Sequence, residues 1–464
     1  MKLANPEEKM RCLLASDNPQ AQFLVACFRD VYHYCAFHLA DIADTVRDVD
    51  LAIRWGFGWQ QGPFETWQAM GLSNIKQVIE QSIVDEIAMS RAPLPHWLNN
   101  LQCFYQKDGA FSPLTTDFKG RRQLPVYQRQ FFPDMVLSEP VFKGKTLFEN
   151  EGVHVSILAD DVAMLCFKSK ANTIGQAVID GVDQALTQAE AACQGLIIYQ
   201  HDANNFSSGA DLRAVSALIQ ANKMAALDNM LSEFQQVVMR MKYSTIPTVA
   251  ALRGRALGGG CELVLQCSQV VAAFESYPGL VEVGVGLIPA GGGCKEMAMR
   301  AARKAASMDL MSLIKPYFEQ IATAAVASSA PDALLRGYLQ EKDTWVMHAN
   351  EVLYAALASV KAMQAANYHS PLKTTFAIAG QEGHALLQVG LVNWLEGGFI
   401  SQHDYFLADQ LAWVLCGGAL NEGTLVDETW MLRLEREAFM TLAATPLSQA
   451  RIGHLLETGK PLRN

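Results

Sequence analysis

The chain has 464 residues, 50% of them hydrophobic and 18% charged, with 37 lysines and arginines against 47 aspartates and glutamates. A hydrophobic half excludes wholesale disorder, and a formal charge of −10 argues against broad binding to nucleic acid or anionic membrane, since either needs basic surface to replace counterions. At about 150 residues per domain, the length suggests roughly three units.

The 10 cysteines contain no CxxC pair, and apolar neighbours such as Val25-Ala26-Cys27 and Met164-Leu165-Cys166 predict reduced, buried thiols. Met1 to Lys9 lack the apolar core of a signal peptide. No uncharged apolar run approaches the roughly 20 residues that span a bilayer. Together these features predict a soluble, cytoplasmic protein without a membrane span.

Residues 20–100 read as helices. Val46, Val49, Leu51, Ile53 and Trp55 crowd one stretch with charged residues interleaved, and the glycine-punctuated run from Trp55 to Glu65 reads as a helix-to-helix junction. Between 105 and 150 the character changes: Pro113, Pro125, Pro133 and Pro140 fall here, four of the chain's 17 prolines, which predicts a wrapped connector.

After 150 the pattern becomes α/β. Val153–Leu158 and Val162–Phe167 flank Ala159-Asp160-Asp161 as a strand pair around a tight turn. Further strands are predicted at Gly195–Tyr199, Thr248–Leu252 and Val270–Phe274. Between the first two, Leu227, Met230, Leu231, Phe234, Val238 and Met241 repeat at helical spacing. Short apolar strands alternating with helices imply a largely parallel layered sheet. Beyond 345 the chain turns helical again, with Leu432, Leu434, Ala438, Phe439 and Leu442 among Arg433, Glu435, Arg436 and Glu437.

Three segments of the α/β region attract chemistry: Phe206-Ser207-Ser208-Gly209-Ala210-Asp211-Leu212, Gly258-Gly259-Gly260-Cys261-Glu262-Leu263, and the run from Gly279 through Glu282 to Gly293. The glycine triplet removes side chains where a ligand or another backbone comes close. A helix opening beside it would point unpaired N–H groups outward, suited to an oxyanion or a phosphate. Glu262 falls in the first turn of that helix. Glu282 lies between Val281 and Val283 in a run with no other charge from Ser276 to Cys294, and burial there would raise its proton affinity toward general acid/base use. The competing reading of Glu282 is an exposed acid at a strand end; that of Asp211 is a helix cap.

These three motifs together resemble the crotonase superfamily, the enoyl-CoA hydratases and isomerases. The resemblance implies a crotonase-like ββα spiral core, an acyl-CoA thioester as substrate, and an oxyanion hole made by the N–H groups of Ala210 and Gly259. It implies proton work shared by Glu262 and Glu282, adding water across trans-2-enoyl-CoA, with Δ3-Δ2 isomerisation as the related reaction. Leu280-Val281 stands where hydratases commonly place Gln-Pro. Lys168-Ser169-Lys170-Ala171-Asn172 is similar to the segment lining the CoA nucleotide, which makes Lys168, Lys170, Ala171 and Ser208 the substrate-binding candidates. The same resemblance implies a homo-oligomer.

The N-terminal run Asp48 to Trp59, with Gly62-Pro63-Phe64-Glu65 and Gly71, resembles the helical C-terminal domain of 3-hydroxyacyl-CoA dehydrogenases. The whole chain is similar to the back part of a multifunctional fatty-acid oxidation protein. This implies four parts: a helical dehydrogenase-like region at 1–104, a connector at 105–150, the crotonase-like domain at 151–345 and a helical region at 346–464. A separate nucleotide-binding dehydrogenase domain or a thiolase would be its partner. NAD binding is not expected of this chain: Gly56-x-Gly58-x-x-x-Gly62 has the wrong spacing and no preceding strand, and Gly284-x-Gly286 meets Pro289 where a third glycine belongs.

Two other clusters read as structural. His33, Cys35 and His38 sit in an aromatic helical stretch with no fourth ligand at useful spacing, so no metal is expected. His403-Asp404 lacks a nucleophile partner and reads as a solvated turn. Arg253 and Arg255 stay open between CoA phosphates and an interface.

Overall fold

The structure, a computed structural model, describes residues 5–107, 109–139, 144–201, 203–305 and 309–464. It divides into two units, Met1–Phe142 and Lys143–Asn464.

The first unit opens with five helices: α1 (Pro6–Leu14), α2 (Pro19–Ile42), α3 (Val46–Phe57), α4 (Pro63–Ala69) and α5 (Leu72–Val84). The starts of α1 and α2 are set by local chemistry. Asn5 and Asn18 accept the N–H groups of Glu7 and Gln20, and each is followed by a proline preset for the first helical position. The expected junction between Trp55 and Glu65 is the turn joining α3 to α4. Cys27, read as buried, is exposed: it lies about 200° around α2 from buried Val25, on the opposite face. His33 and Cys35 are buried on the core side of the same helix, while His38 stacks against Tyr34.

The Pro-rich stretch is more ordered than a connector. Strands β1 (Tyr105–Gln106), β2 (Gly109–Ser112) and β3 (Asp117–Lys119) form an antiparallel sheet, followed by the short helix α6 (Pro125–Gln128). Phe104, Tyr105 and Phe111 are buried in the same core as Tyr32, Phe64 and Trp67. Aromatic rings separated by polar residues carry too short an alternation to announce such strands. Pro140 lies outside the described residues.

Asp50 of α3 ties this unit together. Fully buried, it accepts the N–H groups of Phe64 and Glu65 at 2.8 and 2.9 Å and the Tyr105 hydroxyl at 2.5 Å, so one carboxyl group caps α4 and anchors β1. Burial outweighs these bonds and pushes its pKa up to about 7.

The second unit is built on a mixed seven-stranded sheet. Strands β4 (Lys145–Glu149), β5 (Val153–Ala159) and β6 (Val162–Phe167) are antiparallel neighbours, with β5 and β6 forming the expected hairpin. Helix α7 (Gln176–Ala192) then leads to β7 (Gly195–Ile198), helices α8 (Leu212–Gln220) and α9 (Met224–Lys242) to β8 (Thr248–Leu257), and α10 (Gly259–Leu265) to β9 (Gln269–Gly279). Helices α11 (Gly293–Lys304), α12 (Met311–Ala322) and α13 (Ala330–Leu335) precede β10 (Thr344–Val346), the far edge strand. From β6 to β10 every pairing is parallel. The near-continuous apolar runs of β6 to β8 follow from burial on both faces.

Helix α14 (Val352–Ala365) packs against β7 to β10. After a two-residue strand β11 (Phe376–Ala377) come α15 (Gly380–Glu396), α16 (Gln402–Leu415), β12 (Leu425–Val426), α17 (Glu428–Ala443) and α18 (Pro446–Thr458). Helices α16 and α17 pack on α11, so residues far along the chain share one core with the sheet. Among the described residues no helix is long and apolar enough to cross a membrane.

Replacing Asp50 with Ala leaves two α4 amides and a buried phenol without their acceptor; it is expected to cost the first unit about 3 kcal/mol, measured by chemical denaturation.

Candidate functional site

Because β6, β7, β8 and β9 run parallel, their carboxyl ends lie at one edge of the sheet, and ligands of open α/β sheets bind at that edge. The segments that leave from there are 168–172 after β6, 199–211 after β7, 258–262 after β8 and 280–293 after β9. These include every site residue named from the sequence.

The 207–211 segment is pinned on two sides. Ser207 forms a parallel bridge with Ala256 of β8, donating to Arg255 O and accepting from Leu257 N; its hydroxyl donates to Asn172 O at 2.6 Å. Ala210 bridges Ile174 through its neighbours: Ile174 N donates to Gly209 O, and Asp211 N donates to Ile174 O. That pattern turns the Ala210 N–H to the opposite side. Asp211 accepts the N–H groups of Arg213 and Ala214, so its side chain caps α8.

The glycine triplet opens α10 as expected. Gly258 sits at φ +53°, and a Cβ there would lie 3.3 Å from Glu282 Oε1. Gly259 is the first helical residue, so its N–H has no intrahelical acceptor. The two free amides are neighbours: a Cβ on Gly259 would come within 3.7 Å of Ala210 N, and one on Gly209 within 3.4 Å of Gly259 N.

Both glutamates reach this place, in opposite environments. Glu262 is 3% exposed, and its Oε1 accepts the N–H groups of Gly291 and Gly293 at 2.7 and 2.9 Å. Burial raises its pKa to about 7 against the pull of these two amides and of Lys295. Glu282 begins a 3-10 turn, Glu282–Val285, and both of its carboxyl oxygens are buried with no hydrogen-bond partner among the described residues. Burial, then the charge of Glu262, holds its pKa well above the usual carboxylate range. The reading of Glu282 as an exposed acid is thus excluded.

The CoA-side candidates lie beside the Ala210 loop but are less committed. Lys168 pairs with Glu149 at 2.7 Å and donates to Asn150 O, so much of its charge is answered within the chain. Lys170 is exposed, Ala171 adopts φ 56°, and Ser208 N donates to Ala171 O at 3.2 Å. Arg253 donates to the carbonyls of His201 and Ala203 and lies over the Tyr199 ring, a structural role; Arg255 is exposed.

Several residues of the site have no motif. Phe234 of α9 packs where a Cβ on Gly259 or Gly291 would meet its ring. Glu435 of α17 is fully buried and accepts the N–H groups of Gly292 and Lys295 at 2.8 and 2.5 Å. The signal was present: in α17, Glu428, Glu435 and Leu442 recur at seven-residue spacing on the apolar side. His403 and Asp404 are not a solvated turn; they are 4% and 7% exposed in the first turn of α16. Asp404 pairs at 2.8 Å with fully buried Arg451, whose guanidinium also reaches Val283 O. His403 Nε2 bonds Ser448 Oγ, which donates to Gly286 O, so these side chains brace the Glu282 turn. Among the described residues no cluster of three or more metal-ligating side chains occurs.

The enoyl-CoA hydratase/isomerase family model matches residues 160–378. The chain carries a crotonase-family domain. Over 461 residues it is 35% identical to a "Probable 3-hydroxyacyl-CoA dehydrogenase" of Bacillus subtilis (strain 168), a match covering 98% of this chain and 56% of that protein. Over 148 residues it is 34% identical to the "Fatty acid oxidation complex subunit alpha" of Vibrio parahaemolyticus, covering 31% of this chain and 20% of that one. The chain thus spans about half, or less, of the length of these curated relatives. A crystal structure of enoyl-CoA hydratase from Bacillus halodurans aligns at a TM-score of 0.45 and 16% identity, covering 65% of this chain and 99% of that one. The crotonase-family domain is therefore part of a chain related to multifunctional fatty-acid oxidation proteins.

Glu262 releases its proton near 4.5 when unfolded and near 7 when folded. Below the first value both states hold the proton. Between the two only the unfolded state releases it, so stability falls as pH rises, and above the second the loss is complete. Glu262→Gln is expected to remove this contribution, on the order of 3 kcal/mol, from unfolding free energies measured between pH 4.5 and 7.5.

Proposed function

We propose that the crotonase-family domain is an enoyl-CoA hydratase that adds water across the C2–C3 double bond of a trans-2-enoyl-CoA, in fatty-acid β-oxidation. The observation that carries this reading is the pair of buried carboxyl groups with opposite surroundings beside two adjacent free amides. The Ala210 and Gly259 N–H groups would donate to the thioester oxygen. That oxygen gains charge as the enolate forms, so fixed donors favour the transition state over the ground state.

The unequal proton affinities support a division of labour between the two acids. Glu262, steadied by two amides and Lys295, ionises first and takes a proton from water as the oxygen bonds C3. Glu282, without a donor and facing the charge of Glu262, keeps its proton and delivers it to C2. Water is then divided across the double bond, and transfer of a proton between the two carboxyl groups or through solvent restores the start. Isomerisation of a Δ3-enoyl-CoA needs only proton removal and return, so the same acids could serve it. The CoA nucleotide is placed along Lys168, Lys170, Ala171 and Ser208, with exposed Lys170 offering positive charge.

The extent of the Bacillus subtilis match supports a second reading for the first unit: it is the helical part of a 3-hydroxyacyl-CoA dehydrogenase, completed by a nucleotide-binding part from elsewhere. On this reading the present chain alone oxidises no hydroxyacyl-CoA.

The test is hydration of crotonyl-CoA, followed by loss of the conjugated-thioester absorbance. The native protein is expected to hydrate it with a rate rising through about pH 7 as Glu262 ionises, and Glu262→Gln to lose on the order of 10³-fold in kcat. An inactive native protein, or a fully active variant, overturns the assignment.

A further inference from the structure

The N-terminus of α11 is gripped by two carboxyl groups from two different helices. Glu262 of α10 takes the N–H groups of Gly291 and Gly293; Glu435 of α17 takes those of Gly292 and Lys295. The donors alternate along the backbone, so the two acids interleave on one short segment. An α-helix start leaves its first N–H groups without partners and carries partial positive charge; here both properties are answered by side chains from elsewhere in the unit.

We propose that Glu435 is a positioning residue of the hydratase site: by holding the Gly292 and Lys295 amides it fixes the backbone that presents Gly291 and Gly293 to Glu262. This rests on the hydratase reading above. Beyond these four bonds, Gln235 donates to Ala290 O and Gln266, at 3.4 Å, to Gly292 O. Gly292 stands at φ +104°, and a Cβ at Gly291 or Gly293 would crowd the Phe234 ring or Glu262 itself, so three consecutive glycines leave no side chain there to lock the turn. Without Glu435 two amides of the segment lose their acceptor and the backbone can shift, and a shift of about 1 Å in catalytic geometry is enough to cost on the order of 10²-fold in rate.

The titratable groups facing Glu262 come from four elements: Cys261 on its own helix, Glu282 on the 3-10 turn, Cys294 and Lys295 on α11, and Glu435 on α17. The ammonium of Lys295 attracts both Glu262 and Glu435. Burial, then the charge of Glu262, raises Glu435 well above the usual range, so Glu262 ionises first while Glu435 keeps its proton and its own pair of amides. Removing Glu435 loosens the Gly291 and Gly293 amides that lower the proton affinity of Glu262, which disfavours its ionised form.

The experiment compares the native protein with Glu435→Gln and Glu435→Leu. In crotonyl-CoA hydration, Glu435→Leu is expected to lower kcat by about 10²-fold with KM within about twofold, and to move the acidic limb of the pH profile up by about half a unit or more. Glu435→Gln, which keeps one carbonyl acceptor, is expected to recover about 10-fold of the lost kcat. Amide resonances of Gly291 and Gly293, followed by NMR with pH in the substrate-free protein, report the same coupling without turnover. Their titration midpoint is expected to rise in Glu435→Leu. A native protein without hydratase activity sinks the function while leaving the NMR comparison intact. Folded variants with native kcat, pH limb and amide titration overturn the role of Glu435. If Glu435→Leu does not fold, Glu435→Gln alone decides: unchanged amide titration with unchanged kcat overturns the proposal.

Discussion

The start of α11 is the constraint on which the rest of the second unit turns. A helix beginning in the interior must find acceptors for its first N–H groups or lose the free energy of each orphaned donor. This one finds them in two carboxyl groups, and each ties a different layer to it: Glu262 brings the helix that follows β8, Glu435 the long helix α17. Through these four bonds the sheet edge, the glycine segment and the distal helices become one rigid body around the place where chemistry is proposed.

Charge is arranged to match. Below α11 lies a buried lattice in which Lys295 meets Glu428 at 2.7 Å and Glu296 at 3.2 Å, Lys242 meets the same two acids, and Arg300 meets Glu296 at 3.0 Å. Burial alone would raise Glu296, yet Lys242, Lys295 and Arg300 hold it well below the usual range. Three cations against two carboxylates leave one positive charge unmatched within the lattice, and it faces the acids at the helix start. Buried ion pairs are poor contributors to net stability but costly to break singly, so the lattice serves rigidity more than strength. By contrast, the Glu282 turn is braced by Arg451 and Ser448 at Val283 O and Gly286 O, and the Glu282 carboxyl oxygens have no hydrogen-bond partner among the described residues.

The sequence was most legible where function had pressed small residues into fixed places. The five central strands β5 to β9, the hairpin at 159–161 and the opening of α10 followed from apolar runs, glycines and turn residues, whereas the edge strands β4 and β10 had no such runs. The distal helices were legible as helices but not as partners. Asp404 reads as part of a solvated turn because charged residues are mostly exposed, and Glu435 only as one member of a helical stretch. What places them inside is the set of amides and the arginine waiting there, contributed by residues 140 positions upstream in one case and 47 positions downstream in the other. The seven-residue repeat in α17 marks the buried side of Glu435 but not its distant partners. The small sheet at 105–119 was missed for a different reason: its strands are two to four residues long and held by aromatic packing.

The bond from Gly292 to Glu435 spans 143 residues, and that distance has a bearing on how the molecule comes into being. A ribosome makes the glycine segment well before α17, so during synthesis the nascent α11 has one carboxylate to cap it rather than two. Long-range closures of this kind are late, slow events in folding. The motif loops are therefore assembled early in an unsealed form, and the arrival of α17 completes them, so that the hydratase chemistry proposed here would switch on only when that helix has docked.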